Sequence, residues 1–209
     1  MDTNNQELVS QTCVDIWREL YARRRMLRQA PYWAWDREGN RIPITTIVDT
    51  VRPASILDYG SGNGRAADIL RNRDINFQLQ VTCYDPAWPG ASQVPYQPHD
   101  LVICYNVLNN VEADYLDRVC AHIESLVARD LIIAIIMPAE RASEDTANYW
   151  ISRFPNLGAS YWTISPGEEG PNVTGKMMQF KTVFIWLYRE PEEVVVVPPR
   201  VRLKKNKPV

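Results

Sequence analysis

Residues 56–64 read Ile-Leu-Asp-Tyr-Gly-Ser-Gly-Asn-Gly, a short apolar run that leads directly into three alternate glycines. A short apolar run is typical of a buried strand, and glycine lets the backbone turn tightly and approach a ligand closely. Residues 65–73, which follow, have a helical pattern. A turn between a strand and a helix exposes free N–H groups at the positive end of the helix dipole, where a carboxylate or phosphate is favoured. The stretch therefore predicts a ligand-binding turn in an α/β fold.

A carboxylate follows the next predicted strand. Residues 78–84 form that strand, and Asp85 comes directly after it. An acidic side chain in this place can accept hydrogen bonds from the hydroxyls of a ribose, as in dinucleotide-binding folds. A dinucleotide loop has the spacing Gly-x-Gly-x-x-Gly, whereas the third glycine here is Gly64 and Arg65 follows it. The spacing therefore disfavours a nicotinamide cofactor.

The pattern Asp58-x-Gly-x-Gly-x-Gly64 resembles the first motif of class I methyltransferases, which use S-adenosylmethionine (SAM). In that family the loop wraps the methionine part of SAM, the acidic residue helps to hold its amino group, and the carboxylate after the second strand binds the ribose. The resemblance implies SAM as the cofactor. It implies a cofactor site made of Asp58, Tyr59, Gly60, Ser61, Gly62, Asn63, Gly64, Asp85, Pro86, Asn106 and Val107.

Residues 99–112 read His-Asp-Leu-Val-Ile-Cys-Tyr-Asn-Val-Leu-Asn-Asn-Val-Glu and resemble the fourth strand of that family with the loop beyond it. In the family this loop borders the transferred methyl group. The resemblance therefore implies that Tyr105 and Asn106 lie beside the sulfonium as catalytic residues. Two interpretations of Asn109 and Asn110 stay open: they cap the helix that begins near Glu112, or they belong to the site.

Together with residues 84–89, Tyr-Asp-Pro-Ala-Trp-Pro, these motifs are similar to a narrower group. It comprises the methyltransferases associated with DNA phosphorothioation and their phage-borne relatives. The resemblance covers about residues 54–137. It implies an association with nucleic-acid modification and leaves the methyl acceptor unidentified.

The alternation of strands and helices predicts an α/β protein with an open, mostly parallel sheet. The resemblance implies that this is the Rossmann-like class I methyltransferase fold, with helices on both faces of the sheet. Four prolines between Asp85 and Asp100 exclude a regular helix there, so the third strand of the family is expected to be missing or short. Trp88 and Tyr96 are then candidates for stacking on adenine, with simple packing as the alternative. Further strands are expected at 100–105, 131–136, 161–164 and 177–188, and helices at 6–29, 44–51, 112–128 and 140–153.

Three regions are expected along the chain. Residues 1–53 form an N-terminal helical and aromatic extension, whose aromatic loop at 31–35 covers the substrate side. Residues 54–190 form the SAM-binding domain, and residues 191–209 form a flexible basic tail. Basic residues interleaved with aromatics suit single-stranded nucleic acid, so the Arg18–Arg28 region and the Arg200–Lys207 tail are candidate contacts to it. The alternative is a solvated helix face and an unstructured tail.

The composition limits partners and location. The net charge of −2 over 209 residues provides no general basic field for nucleic acid. Four cysteines without a Cys-x-x-Cys pair, and two histidines, argue against a metal site. The N-terminus lacks the apolar core of a secretory signal, and no apolar run is long enough for a membrane helix. We therefore expect a cytoplasmic protein with no membrane partner.

These features favour a SAM-dependent methyltransferase, with nucleic acid or a small molecule as the acceptor. The Asp/Asn-Pro-Pro-Tyr motif of exocyclic-amine enzymes and the Pro-Cys nucleophile of cytosine-5 enzymes are absent from the sequence, which argues against those two types. The missing third strand suggests a different class, a SAM-fold protein that has lost catalysis and serves as an interaction or structural subunit.

Overall fold

The chain forms an α/β structure around a seven-stranded sheet. A computed structural model describes residues 8–22, 32–73, 77–171 and 176–191. The helices are α1 (Gln11–Ala22), α2 (Ile44–Val51), α3 (Arg65–Arg71), α4 (Ala113–Ser125) and α5 (Glu144–Ile151). The strands are β1 (Trp33–Trp35), β2 (Arg41–Pro43), β3 (Ser55–Tyr59), β4 (Gln80–Tyr84), β5 (His99–Tyr105), β6 (Val127–Pro138), β7 (Gly158–Ile164), β8 (Glu168–Pro171) and β9 (Met177–Tyr188).

The order of strands in the sheet sets the place for a ligand. The order is β4-β3-β5-β6-β9-β7, and β8 pairs with β9 beside that path. β4, β3, β5 and β6 are parallel, and β9 runs antiparallel to its neighbours. From β3 the chain continues to β4 on one side and then to β5 on the other. The direction in which successive strands are added to the sheet therefore reverses at β3. A crevice opens outside the carboxyl ends of the strands at such a point, and open α/β sheets bind ligands there.

Both faces of the sheet are covered, as the sequence predicts. Leu57, Val102 and Ile133 face one core, which α4 and α5 complete. Ile56, Ile103, Ile132 and Phe184 face the other, which α2, α3 and the β1–β2 hairpin complete. Residues 131–135 of β6 are all fully buried, because this strand has packed helices or loops on both sides. The mostly parallel sheet and the helices on its faces are thus confirmed.

The third strand is missing from the part of the chain that the structure describes, as predicted. After β4 the backbone makes a tight series of turns, in which Asp85 N–H donates to the carbonyl of Ala91 and Trp88 N–H donates to that of Asp85. Residues 86–98 then reach β5 without forming a strand. β4 is therefore the outermost strand on this side of the sheet.

The structure differs from the sequence prediction at two loops. The aromatic segment expected as a loop contains strand β1, which pairs with β2 around a turn at 36–40. Trp33 is half-buried, and Ala34 and Trp35 are buried in the core on one face of the large sheet, so this apolar segment packs there as a strand of the β1–β2 hairpin. The loop expected between β7 and β9 contains β8, which continues the pairing along β9. For the helix expected at 6–29, the structure describes α1 only, and the remaining positions lie largely outside the described residues.

None of the helices within the described ranges is both long and apolar enough to cross a membrane.

Candidate functional site

A cavity of about 370 Å³ lies beyond the carboxyl ends of β3 and β5, at the predicted crevice. Its volume falls in the range of small-molecule sites, and its wall is mostly apolar. Three parts of the chain line it. The N-terminal segment contributes Val9, Cys13, Val14, Trp17, Tyr21, Tyr32, Trp33, Trp35 and Arg41; the strand ends contribute Gly60, Asp85, Pro86, Ala87, Tyr105, Asn106, Val107, Asn110, Val111 and Ile136; the C-terminal hairpins contribute Ser165, Glu168, Phe180, Lys181 and Thr182.

The glycine loop turns tightly at the floor of this cavity. Gly60, Gly62 and Gly64 have φ angles of 78°, 53° and 74°, a region that side chains other than glycine rarely adopt. A Cβ atom on Gly60 would lie 2.1 Å from Cγ2 of Val107, in the loop that follows β5. Gly60 is therefore required for the loops after β3 and β5 to meet.

Asp85 joins the glycine loop to the end of β4. The carboxylate is 5% exposed. Its Oδ2 accepts hydrogen bonds from Gly62 N–H at 2.9 Å and from the Tyr21 hydroxyl at 2.8 Å, and its Oδ1 accepts one from Ala87 N–H at 2.9 Å. The structure thus brings together the two motifs that the sequence predicts as partners. It also shows a third partner, Tyr21 on α1.

Asp58 lies one layer behind the cavity wall. It is 1% exposed, and its Oδ1 accepts a hydrogen bond of 2.9 Å from the hydroxyl of Tyr32, a residue that lines the cavity. Among the described residues, Oδ2 of Asp58 has no hydrogen-bond partner. Burial raises the pKa of Asp58 to about 7, against a smaller opposing effect of the Tyr32 hydrogen bond. A buried carboxyl with one free oxygen is suited to a cationic or hydrogen-bonding group brought by a ligand.

Asn106 holds an unusual backbone conformation at the end of β5. Its φ is 56°, in the left-handed region, where a residue other than glycine is under strain. Two neighbours hold it there: Asn109 Nδ2 donates to Asn106 Oδ1 at 3.0 Å, and Asn110 Nδ2 donates to the Asn106 carbonyl at 2.7 Å. The N-cap position of α4 is held by Glu112, whose side chain makes no capping hydrogen bond, and Asn109 and Asn110 precede it. The capping interpretation of the two asparagines is therefore wrong, and both support the loop that lines the cavity.

The tyrosine hydroxyls and the cysteine thiol in the cavity wall stay protonated at neutral pH. Burial raises the pKa of Tyr105 to about 12, and its ring stacks on that of Tyr32 with centroids 4.6 Å apart and planes 6° from parallel. The pKa of the Cys13 thiol is raised by burial and, less, by the charge of Glu112. Tyr105 can therefore shape the cavity and is unsuited to act as a general base.

The predicted site residues fall into two groups. Those that line the cavity are Gly60, Asp85, Pro86, Tyr105, Asn106 and Val107; those that do not are Asp58, Tyr59, Ser61, Gly62, Asn63 and Gly64. Within the second group, the Tyr59 side chain packs in the core on the face of the sheet that α4 and α5 cover, and its hydroxyl lies 3.1 Å from Nδ1 of His122. Asn63 accepts a hydrogen bond from Arg65 N–H at 3.2 Å, at the start of α3.

The two aromatics suggested for adenine have different surroundings. Tyr96 is 73% exposed and does not line the cavity. Trp88 packs edge-on against the ring of Tyr21, with centroids 5.6 Å apart. Trp88 thus stays near the predicted ribose carboxylate, and Tyr96 is removed from it.

Sequence reasoning missed the contribution of the N-terminal segment to the cofactor side of the cavity. Trp17 and Tyr21 are four residues apart, so a helix presents both on one face, a spacing that could have indicated their joint role. Tyr32 belongs to the aromatic segment at 31–35 that is predicted to cover the substrate, but nothing in the sequence predicts its hydrogen bond to Asp58. At the opposite side, Arg41 Nη1 lies 3.1 Å from Oε1 of Glu168 and joins two hairpins across the cavity.

The predicted nucleic-acid contacts fall mostly outside the described residues. Of the first basic region, α1 includes Arg18, whose guanidinium lies 3.3 Å from Asp15 on an exposed face. Residues 23–31 and 192–209, with the other predicted arginines and the basic tail, are not described. Within the described ranges, no group of three or more His, Cys, Asp or Glu side chains could hold a metal ion.

Comparisons with known proteins give likenesses of fold. No family model matches the chain, and no curated protein matches its sequence. Magnesium protoporphyrin IX methyltransferase from Synechocystis PCC 6803, solved with bound SAM, is 15% identical with a TM-score of 0.53, over 85% of this chain and 97% of that one. A 1,6-didemethyltoxoflavin-N1-methyltransferase from Burkholderia thailandensis, solved with its namesake compound and S-adenosylhomocysteine, is 12% identical with a TM-score of 0.52, over 86% and 88%.

A third similar structure comes from work on the conversion of a disulfide bond into a thioacetal group in echinomycin biosynthesis. It is 12% identical with a TM-score of 0.54, over 85% of this chain and 93% of that one. At these identities the likeness establishes architecture. The chain has the Rossmann-like fold of class I methyltransferases, with its third strand missing from the described residues.

Proposed function

We propose that the protein is a SAM-dependent methyltransferase that acts on a small molecule. The observation that carries the proposal is the hydrogen bond between Gly62 N–H and Asp85, at the mouth of the β3–β5 crevice. It fixes a bare-backbone turn and a buried carboxylate next to each other, which are the two elements needed to hold an amino-acid moiety and a ribose. The same fold holds SAM or its product in two of the similar structures.

The residues present fit this cofactor. Asp85 offers a carboxylate at the cavity wall for the ribose hydroxyls, and Gly60 presents bare backbone at the wall while it lets Val107 pack against the glycine loop. Asp58 and Tyr32 form a buried acid–phenol pair behind the wall, suited to a ligand's amino group. Pro86, Asn106 and Val107 complete the wall between these points. Tyr59, Ser61, Asn63 and Gly64 would act by shaping the loop.

SAM would supply an electrophilic methyl group on its sulfonium, which would pass in line to the acceptor, with S-adenosylhomocysteine as the leaving group. The protein's part is to bind, orient and exclude water. Asn106 and Tyr105 are the residues proposed beside the reacting centre, where the stack of Tyr105 on the buried Tyr32 provides a wall. Since Tyr105 and Cys13 stay protonated, we propose that the acceptor reacts without a strong base from the protein.

The acceptor side of the cavity favours a small, largely apolar molecule. Trp33, Phe180 and Ile136 supply apolar surface there, and Arg41 stacks on Trp33 with its guanidinium carbon 4.2 Å from the ring centroid. The extension up to residue 53 thus supplies part of the wall, in accordance with the proposed lid role of its aromatic segment. Two of the similar structures are of enzymes named for small-molecule acceptors.

A nucleic-acid acceptor, and the relationship to DNA phosphorothioation enzymes, stay predictions. Neither a family model nor a sequence match supports the narrower relationship. A cavity of about 370 Å³ enclosed in part by α1 suits a compact acceptor better than a polymer.

Calorimetric titration with SAM and S-adenosylhomocysteine tests the proposal. We expect a Kd in the micromolar range for the wild-type protein and a loss of at least tenfold in Asp85→Asn, because the amide can accept fewer hydrogen bonds than the carboxylate. Asp114→Asn is the matched control, since Asp114 is exposed on α4. Absence of heat and of thermal stabilisation at millimolar SAM would refute the proposal. Tight binding without labelled-methyl transfer to any compound of a metabolite extract would favour the non-catalytic SAM-fold alternative.

A further inference from the structure

We infer that Tyr21 holds the place of a ribose hydroxyl on Asp85 in the unliganded protein, so that α1 must move as a lid when the cofactor binds. The inference rests on the proposed function. It concerns a residue of the N-terminal extension that the predicted cofactor site does not include. Three observations support it: the hydrogen bonds at Asp85, the attachment of α1, and the aromatic contacts of Tyr21.

The first observation is the number of acceptor positions left on Asp85. A carboxylate has about four lone-pair positions. Gly62 N–H, Ala87 N–H and the Tyr21 hydroxyl take three of them, and the carboxylate is nearly inaccessible to solvent. One position remains, on Oδ1. A ribose diol that donates two hydrogen bonds therefore needs the position that Tyr21 fills, because the two backbone donors are fixed by the fold.

The second observation is that α1 is held by hydrogen bonds at Ser10, just before its first residue, and has no fully buried residue after its first turn. Ser10 precedes the helix and donates through both its N–H and its hydroxyl to the carboxylate of Glu112, at 3.1 and 2.7 Å. The Ser10 hydroxyl also accepts from Cys13 N–H at 3.0 Å. Of the twelve residues of α1, Cys13 and Val14 are buried, and both lie in its first turn. Trp17, Leu20 and Tyr21 in the later turns are only half-buried, so this part of the helix opens at a lower cost in free energy than the first turn.

The third observation is the surroundings of the Tyr21 ring. Its centroid lies 5.6 Å from that of Trp88 and 6.1 Å from that of Trp17. Movement of Tyr21 away from Asp85 changes the environment of both indoles. Tryptophan fluorescence therefore reports the displacement separately from the heat of binding.

The test is the variant Tyr21→Phe, which keeps the ring and removes the hydroxyl. We expect its Kd for SAM to fall about tenfold relative to wild type, because a hydrogen bond to a charged group no longer competes with the ribose. 5′-Deoxy-5′-methylthioadenosine, which carries the same ribose, gains in affinity by a similar factor. Methionine, which has no ribose, binds both proteins equally. Tyr96→Phe is the control for loss of a phenol, because Tyr96 is exposed and outside the cavity.

A second readout is kinetic. Stopped-flow tryptophan fluorescence with SAM is expected to show a slow step in the wild-type protein that is faster in Tyr21→Phe, and to lose most of its amplitude in Trp88→Phe. If SAM binds to wild type and Tyr21→Phe binds it equally or more weakly, the inference is wrong and the proposed function stands. If neither protein binds SAM, both are wrong.

Discussion

The hydroxyl of Tyr32 donates a hydrogen bond of 2.9 Å to Oδ1 of Asp58, which links the N-terminal segment to the first strand of the motif that defines the site. The carboxyl is fully buried, and its other oxygen has no partner among the described residues. Ionisation of Asp58 in the unliganded protein therefore places a charge in the core with a single neutral donor to stabilise it. This makes the link sensitive to pH.

Asp58→Asn tests the consequence for stability. Burial raises the pKa of Asp58 from 3.8 to about 7, so the folded state binds a proton that the unfolded chain releases. The contribution of Asp58 is fully present below pH 4 and is lost as the pH rises to about 7, at a cost on the order of 4 kcal/mol. Urea unfolding at pH 4, 5.5, 7 and 8 should show the asparagine variant gaining stability relative to wild type with increasing pH. Parallel pH profiles for the two proteins would contradict this.

Gly60→Ala is expected to be destabilising. The added Cβ would lie 2.1 Å from Cγ2 of Val107, and the φ of 78° is unfavourable for alanine. We expect a loss of about 2–4 kcal/mol in the free energy of unfolding from overpacking and backbone strain. Gly90→Ala is the control: a Cβ there meets Trp88 at an ordinary 3.8 Å, and a change below about 0.5 kcal/mol is expected. Equal effects in the two variants would refute the requirement for glycine at position 60.

Tyr105→Phe separates the shape of the Tyr105 side chain from its chemistry. With a pKa of about 12, the phenol does not act as a base near neutral pH, while its ring forms the stack with Tyr32. We expect the phenylalanine variant to bind SAM within about threefold of wild type, and Tyr105→Ala to lose at least tenfold with the ring. Once an acceptor is known, the pH profile of turnover in Tyr105→Phe should match that of wild type. A profile that loses a basic limb would show that the hydroxyl takes part in proton transfer.

Ser10→Ala tests the attachment of α1. The Ser10 hydroxyl accepts from Cys13 N–H and donates to Glu112, so its loss should destabilise the first turn of α1 by about 1 kcal/mol. Amide hydrogen exchange over α1 should become about fivefold faster, while exchange in β3 and β5 stays unchanged. Ser143→Ala is the matched control, because the Ser143 hydroxyl caps α5 by accepting from Thr146 N–H at 3.2 Å. Faster exchange in α1 of the control as well would mean that the effect is global.

The central motifs could be predicted because their geometry is local. A strand followed by alternate glycines, and a carboxylate at the next strand end, determine where Gly62 and Asp85 meet once the strands are parallel. The proline-rich segment after Asp85 likewise excludes a strand by its own chemistry. These inferences need no knowledge of distant residues.

Contacts between distant parts of the chain could not be predicted in this way. Tyr21 and Asp85 are 64 residues apart, and nothing in their immediate sequence links them. The same holds for Tyr32 with Asp58, and for Arg41 with Glu168. The two open interpretations of Asn109 and Asn110 also required coordinates, because a turn and a helix cap use the same residue types.

The missing third strand has a consequence for how copies of the chain behave in solution. Among the described residues, β4 has no partner strand on its outer side, and an unpaired edge strand is where another chain can pair by strand addition. Arg71 lies at this edge, and its guanidinium donates to the carbonyl of Val81 at 2.9 and 3.3 Å. A charged side chain thus occupies the position where a further strand would pair. At this edge of the described sheet, one carbonyl that strand addition would use is therefore already bonded to a charged side chain, and charged side chains on an edge strand oppose pairing with another copy.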